Sequence, residues 1–428
     1  MALLGLLYLL VLLALMVLAV PAAVSMIAAS ATYMSFRESM PLIVIPHKMI
    51  GGIDVFSLLA IPFFLFVGEI MKRAKLADLL VDFATALVGR FQGGAAHACV
   101  VSGLMMGAVS GVAVADTALL SSVFIPSMKR RGYPAGFAAA LSAACGAIGP
   151  IMPPSVLMIV YGALTGTSVA RLFLGGVVPA FLMGAYLMVV SYVLASKHGY
   201  GTVSKASRIE IGRSFVKCLP TLVASLIIMG GIIGGVFTPT EAGAIAALYL
   251  VGVGVMSRSL RRTDLVESVG ATVRFVGQVL FVIAASAPIG WILAVEHVDQ
   301  PIAAALQGLS GGQPLVLLLL IALVLIIVGC FVDAIPTLTL LGPLLFPIIT
   351  AVEIDPVHFG VVMTLCLTIG FLTPPVGVCM YMACAVGNVS IPEFVRHFWH
   401  IFVALIGVLL TLIVFPETVL FLPRVVLG

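Results

Sequence analysis

Two aspartates and two proline pairs stand inside apolar runs of this 428-residue chain, and in that setting these residue types have a defined chemistry. Asp116 and Asp333 are carboxylates in segments otherwise suited to hydrocarbon. An acid placed there is costly and marks an ion path, a proton relay or a paired structural group. The stretches Gly149-Pro-Ile-Met-Pro-Pro-Ser155 and Gly370-Phe-Leu-Thr-Pro-Pro-Val376 remove backbone donors and push the residue before each proline away from helical angles. Each helix must therefore break in mid-membrane. Broken backbone survives in hydrocarbon only where protein buries it or where it lines a wet cavity. Freed carbonyls at such breaks can coordinate a cation, and half-helix N-termini offer positive dipole ends to an anion.

Candidate cation ligands in the first half are Ser110, Gly111 and Asp116, with Gly149 at the proline break. In the second half they are Gly329, Asp333, Gly370 and Thr373. Candidate contacts to an anionic substrate are Pro153, Pro154, Ser155, Pro374, Pro375 and Asn388. Each has a plainer alternative. Gly107, Gly111, Gly329 and Gly370 equally suit close helix packing, and the aspartates equally suit helix caps or paired carboxylates. Asn388 and Ser390 also suit the end of a helix. Glu69 and Glu241 lie near span ends, His97 and His358 read as isolated hydrogen-bonding residues, and Arg171 as a snorkelling edge.

The elements that must position these groups follow from composition. Hydrophobic residues make up 62% of the chain, charged residues 9%, and mean hydropathy is +1.28. So little charge cannot cover a water-facing surface. The chain reads as an all-α, polytopic membrane protein, its apolar runs far exceeding a barrel strand. Neither HExxH nor GxSxG occurs, no GxxxxGK[ST] loop is present, and no basic cluster interleaves with aromatics. These absences argue against an enzyme, an ATP-driven subunit and a nucleic-acid partner. The seven cysteines lack metal-type spacing and read as buried free thiols. No cofactor is expected.

Expected spans cover 2–20 and 22–36, joined at Pro21. The first basic residue is Arg37, so 2–20 reads as a helix and not a cleaved signal. An amphipathic stretch 38–53 and a span 54–72 follow, then an interfacial helix 76–90. Next come a broken run 93–128, an interrupted span 134–166 and a span 172–196. Residues 1–196 make a first repeat and 197–218 a basic polar linker. Residues 219–428 make a second repeat, with spans 219–237, 242–256 and 270–295, a polar link at Glu296, His297 and Asp299, a broken run 313–350, an interrupted span 356–387 and a last span 401–422. Asp116 with Asp333, and Pro126 with Pro343, match at an interval of 217 residues. The proline pairs match at 221, which implies four extra residues in the second copy.

Charge sets the sense of the repeat. Lys129 to Arg131 and the basic turns at 197–217 and 258–262 belong on the cytoplasmic side, and acidic Glu353 and Asp355 outside. Arg37 and Lys48 fall outside against the trend. The runs 93–128 and 313–350 then become re-entrant hairpins entering from opposite faces, the repeats are inverted, and both termini are external.

Gly107-Ala-Val-Ser-Gly-Val-Ala-Val-Ala-Asp116, Arg131-Gly-Tyr-Pro134, Phe237-Thr-Pro-Thr-Glu-Ala-Gly243, Asp355-Pro-Val-His-Phe-Gly360 and the two proline breaks fall in order along the chain. With Leu59-Ala-Ile-Pro62 they resemble the large membrane subunit of the tripartite ATP-independent periplasmic (TRAP) transporters. The resemblance implies an elevator-type importer coupled to sodium ions and taking carboxylates such as dicarboxylates, keto acids or sugar acids. It also implies two partners, a small four-helix membrane subunit on a separate chain and a periplasmic binding protein. Val112 departs from the family, which commonly has serine there, and this removes one hydroxyl ligand from the first ion site. A stand-alone sodium- or proton-coupled anion symporter of related fold is the alternative.

Charge parity yields a direct test on a cysteine-depleted background. A cysteine at position 129 should be labelled only from the cytoplasmic side and one at 353 only from the periplasm. Labelling of 129 from the periplasm contradicts the hairpin topology.

Overall fold

The computed structural model describes residues 20–37, 41–200 and 206–428, together with Tyr8, Val11, Leu12, Ala14, Leu15 and Leu18. The expected span 2–20 lies largely outside the described residues, as do 38–40 and 201–205 of two polar stretches. All regular structure among the described residues is helical.

After Pro21 comes α1 (Ala22–Ser35). The next two segments correct the sequence reading. In place of an amphipathic stretch 38–53 and a separate span 54–72 stand α2 (Val44–Ile53) and α3 (Ala60–Arg73). They form one apolar path bent by 62° at residues 54–55, its second arm opening with a 3-10 turn at Phe56–Leu59. Gly52 explains why α2 packs inward: a Cβ there would lie 2.5 Å from the Ala287 side chain. α4 (Leu76–Val88) follows as expected.

The first hairpin is α5 (Gly94–Ser110) and α6 (Ala113–Lys129), turned at Gly111, whose φ of +62° suits glycine. The interrupted span is α7 (Ala135–Gly146) and α8 (Val156–Thr165), and α9 (Val169–His198) completes the half. The linker is shorter than expected. α10 (Arg208–Ile233) begins in a capping box of Ser207 and Glu210, so Arg213 and Lys217 lie on its first turns. α11 (Pro239–Met256) opens with a second box of Thr238 and Glu241, which assigns Glu241 a capping role. α12 (Arg262–Val295) starts two turns before the expected span, because the Arg261 amide donates to Asp264 at 2.8 Å and the apolar run is already helical there. α13 (Asp299–Ser310) is a helix where a polar link was read.

The second hairpin is α14 (Pro314–Phe331) and α15 (Ala334–Ala351), followed by α16 (Pro356–Gly370) and α17 (Val378–Gly387). The last span also shifts. It is α18 (Ile391–Val414), capped by Ser390, and a short α19 (Glu417–Leu427) follows Pro416. On the first turns of α18, His400 is exposed, and half-buried His397 donates to the Glu393 carbonyl at 2.9 Å.

Among the described residues, seven helices are long and apolar enough to cross a membrane, or eight with the bent pair. Between the bases of the two hairpins lie the broken helix α7–α8, read as one crossing, and four helices long and apolar enough to cross: α9, α10, α11 and α12. An odd number inverts the second hairpin. Packing carries the same exchange: α3 lies against α11 and α1 against α12, while α8 lies against α15 and α17 against α6. Thus α1, α2, α3, α10, α11 and α12 form one packed group, and the hairpins with the broken helices form another.

The structural register corrects the repeat alignment. Val112 and Asp333 each precede the second arm of a hairpin, and they stand 221 residues apart. Pro126 and Pro347, Gly149 and Gly370, and Pro153 and Pro374 keep the same interval. No four-residue insertion is needed. Asp116 therefore corresponds to Thr337, not to Asp333, and Pro126 to Pro347, not to Pro343.

Candidate functional site

At the first hairpin tip the turn at Gly111 presses on the proline break. A Cβ on Gly111 would meet the Pro154 carbonyl oxygen at 2.1 Å, so no side chain fits. One turn into α6, Asp116 is buried and accepts from the Ser110 hydroxyl at 2.5 Å. Gly149 lies across from this pair, and a Cβ there would sit 2.9 Å from Asp116 Oδ2. Ser110, Gly111, Asp116 and Gly149 thus come together as expected. Pro153, Pro154 and Ser155 are buried beside them. Ser155 donates to the Pro150 carbonyl and accepts from the Met158 amide at 3.3 Å, capping α8.

The second tip uses the same geometry with different side chains. Gly329 and Gly370 touch backbone to backbone, and a Cβ on Gly370 would meet the Gly329 carbonyl group at 2.6 Å. The Val376 amide donates to the Cys330 carbonyl at 3.0 Å, stitching the break to the hairpin. Asp333 caps α15 by accepting from the Ala334 amide at 2.8 Å. It is densely surrounded yet its side chain is exposed, so it faces a crevice and not the outer surface. Thr373 donates to the Ile369 carbonyl at 2.8 Å, and Pro375 is exposed. The first break is sealed; the second is open.

The two tips converge on α17. Cys379 lies beside Thr117 and within electrostatic range of both Asp116 and Asp333. Asn388 does not join them. It caps the far end of α17 in left-handed conformation, φ +48°, which is the helix-end alternative. His358 donates to the Leu412 carbonyl at 2.9 Å and Arg171 to the Gly428 carbonyl at 2.9 Å, both structural uses.

Beside the first tip lies a cavity of about 490 Å³ that the sequence reading did not anticipate. Ser110, Val112 and Asp116 form one wall, Met382 of α17 touches it, and faces of α3 and α12 close the other side. Leu65, Glu69 and Lys72 recur at helical spacing on α3, as do Ala271, Arg274 and Gln278 on α12. Arg274 is the residue that sequence reasoning missed. A lone arginine within an apolar run was the available signal.

Inverted hairpins, two unwound helices and a cavity between helix groups define a membrane transporter. The chain belongs to the family described as tripartite ATP-independent periplasmic transporter, DctM component, which matches residues 9–418. It is 39% identical to the sialic acid TRAP transporter large permease protein SiaM of Vibrio cholerae, over 94% of this chain and 95% of that protein. It is 36% identical to the C4-dicarboxylate TRAP transporter large permease protein DctM of Pseudomonas aeruginosa, over 89% and 88%. The 2,3-diketo-L-gulonate large permease protein YiaN of Escherichia coli is 33% identical, over 93% and 94%. Among solved structures, the Alcanivorax borkumensis YdaH transporter shares the fold, with a TM-score of 0.61, 15% identity and coverage of 86% and 87%. The protein is a multi-pass component of the bacterial inner membrane.

The glycine contact at the second tip sets a stability prediction. Gly370→Ala overpacks backbone against backbone and should cost roughly 1–3 kcal/mol. Gly342→Ala on α15 meets open space and should change stability by less than about 1 kcal/mol. Melting temperatures of the two variants in nanodiscs check this, and equal melting would contradict the contact.

Proposed function

We propose that this chain is the permease of a sodium-coupled importer of an organic anion. It works with a small four-helix membrane subunit and a periplasmic protein that delivers the substrate. The observation that carries the reading is the buried Ser110–Asp116 pair, set against the first helix break and beside a cavity. A buried carboxylate with one hydroxyl donor is under-compensated in a medium that solvates charge poorly. A sodium ion held by Asp116, Ser110 and freed carbonyls at Gly111 and Gly149 balances it. Asp333 with carbonyls at Gly329 and Gly370, and Thr373 nearby, forms the second cation site of the proposal.

The broken helices then meet the anion. Their N-terminal ends at Ser155 and Gly377 carry partial positive charge, and prolines 153, 154, 374 and 375 keep those ends open. Sodium entry supplies the driving force, about 2.3 kcal/mol per charge for each 100 mV of membrane potential. Relatives are named for sialic acid, C4-dicarboxylate and 2,3-diketo-L-gulonate, which are all organic anions and support that class. In the elevator motion proposed here, the hairpins and broken helices move against the group built on α3, α11 and α12.

Proteoliposomes holding both membrane subunits, with the periplasmic protein outside, test the reading. Uptake should follow an inward sodium gradient and stop when choline replaces sodium. Asp116→Asn should raise the sodium needed for half-maximal uptake at least tenfold while the protein still assembles. Uptake that persists in choline, or that ignores omission of the periplasmic protein, contradicts the proposal and favours a stand-alone symporter.

A further inference from the structure

A second cavity, of about 470 Å³, lies on the seam between the two helix groups. α9 packs on α5, α16, α18 and α19, whereas α10 packs on α4 and α11. The two helices flank a gap, and α5, the first arm of the first hairpin, lies between them. Leu104 and Met105 of α5, Phe181 and Met188 of α9, and Leu222 and Ser225 of α10 line it. Met152, the residue before the first proline pair, lines it too.

The depth of the gap follows from where these residues stand. Phe181 and Met188 lie near the middle of the 30-residue α9, and Leu222 and Ser225 lie midway along the 26-residue α10. Both helices are apolar enough to cross a membrane, so the gap is level with the hydrocarbon core. It also opens sideways. Phe181 is 55% exposed, and Leu226 beside Ser225 is 69% exposed.

The walls restrict what can fill this space. No charged side chain lines them, and Ser225 is the one polar side chain among the lining residues. Its hydroxyl has no partner among the described residues. A buried water needs about two to four polar partners and does not find them here. A partner helix is too thick. Followed over the length from Phe181 to Met188, a cylinder about 10 Å across takes up roughly 800 Å³. A single unbranched hydrocarbon chain needs no polar partner, is narrow, and is the surrounding solvent at this depth.

We propose that this gap is a binding site for one acyl chain of a membrane phospholipid, seated between α9 and α10 against α5. Such a chain touches both helix groups at once, since α9 packs with the hairpin group and α10 belongs to the other. It also reaches Met152. The backbone freed at Pro153 and Pro154 must be kept from water by whatever packs around it. On this flank a lipid tail completes the cover that protein supplies elsewhere.

The complex of large and small membrane subunits, washed free of bulk lipid in detergent, tests this. The probe is a phospholipid carrying a diazirine at mid-chain, titrated in before photolysis, with adducts located by peptide mass spectrometry. Adducts on the peptides of Met105 and Met188 should saturate as the probe is raised. At Leu323 on α14, a side chain 56% exposed, they should rise in proportion to the probe. Ala185→Phe and Leu222→Trp fill the gap from opposite walls. Each should lower the saturable adducts at Met105 at least tenfold and leave labelling at Leu323 unchanged. Ala185→Ser keeps the gap and should keep the adducts. A cooperative melt of each variant separates a filled gap from a lost fold. Proportional labelling at Met105, without saturation, overturns the proposal. Saturable adducts undiminished in both filling variants overturn it as well. Adducts that form on the isolated large subunit but vanish in the complex also overturn it, and assign the gap to side chains of the small subunit.

Discussion

A peptide group released from helical hydrogen bonding inside a bilayer finds no water to replace its partner. That constraint organises this molecule, because four prolines release such groups at two places. The first break is satisfied from within: Ser155 bonds the Pro150 carbonyl and caps α8, and the Gly111 turn packs on the Pro154 carbonyl. The second borrows from its neighbours. Cys330 of the hairpin accepts from Val376, Phe371 accepts from the Cys379 and Met380 amides at 3.0 and 3.3 Å, and Tyr381 donates to Pro375. Each hairpin exists to bury a break. The glycines at 107, 111, 149, 329 and 370 let the two backbones approach closely enough to do so.

The same constraint explains why the halves share a backbone and differ in side chains. An interval of 221 residues joins the tips and proline breaks of the two copies, and one of 222 joins the helices that follow them. Within that frame the carboxylates are displaced: Asp116 stands one turn inside its helix, whereas Asp333 caps its own. Val112 occupies the capping position in the first copy and brings no acceptor. Inverted packing still brings both acids toward Cys379 on α17. One acid is sealed beside Ser110 and the other faces a crevice, so the two proposed cation sites differ in access as well as ligands.

Much of this was legible in the sequence. Proline pairs and the Ser110-Gly111 break fixed the hairpins and interrupted helices to within a few residues, because loss of backbone donors is a local property. Four things were not read. The bend between Ile53 and Ala60 depends on α2 packing against α12 through Gly52, which hydropathy does not report. The starts of α10 and α18 lie in polar segments whose caps, Ser207 with Glu210 and Ser390, outweigh composition. The repeat register went astray because two aspartates were matched by type, while the backbone matches Asp333 to Val112. The cavity with Arg274 arises between helices distant in sequence, and only the fold brings its walls together.

The account stands on the claim that the two helix breaks, with the hairpin tips packed on them, hold the coupling ion. Replacing Pro153-Pro154 or Pro374-Pro375 with Ala-Ala restores donors and favours a continuous helix, since alanine is the strongest helix former. The decisive measurement is the melting temperature of each double variant in sodium against choline. An ion bound only to the folded state at 100 times its dissociation constant adds about 2.7 kcal/mol of stability. The account predicts that both variants melt cooperatively in choline, at or above the unmodified protein, and that the sodium increment disappears. An undiminished sodium increment in both double variants would contradict it.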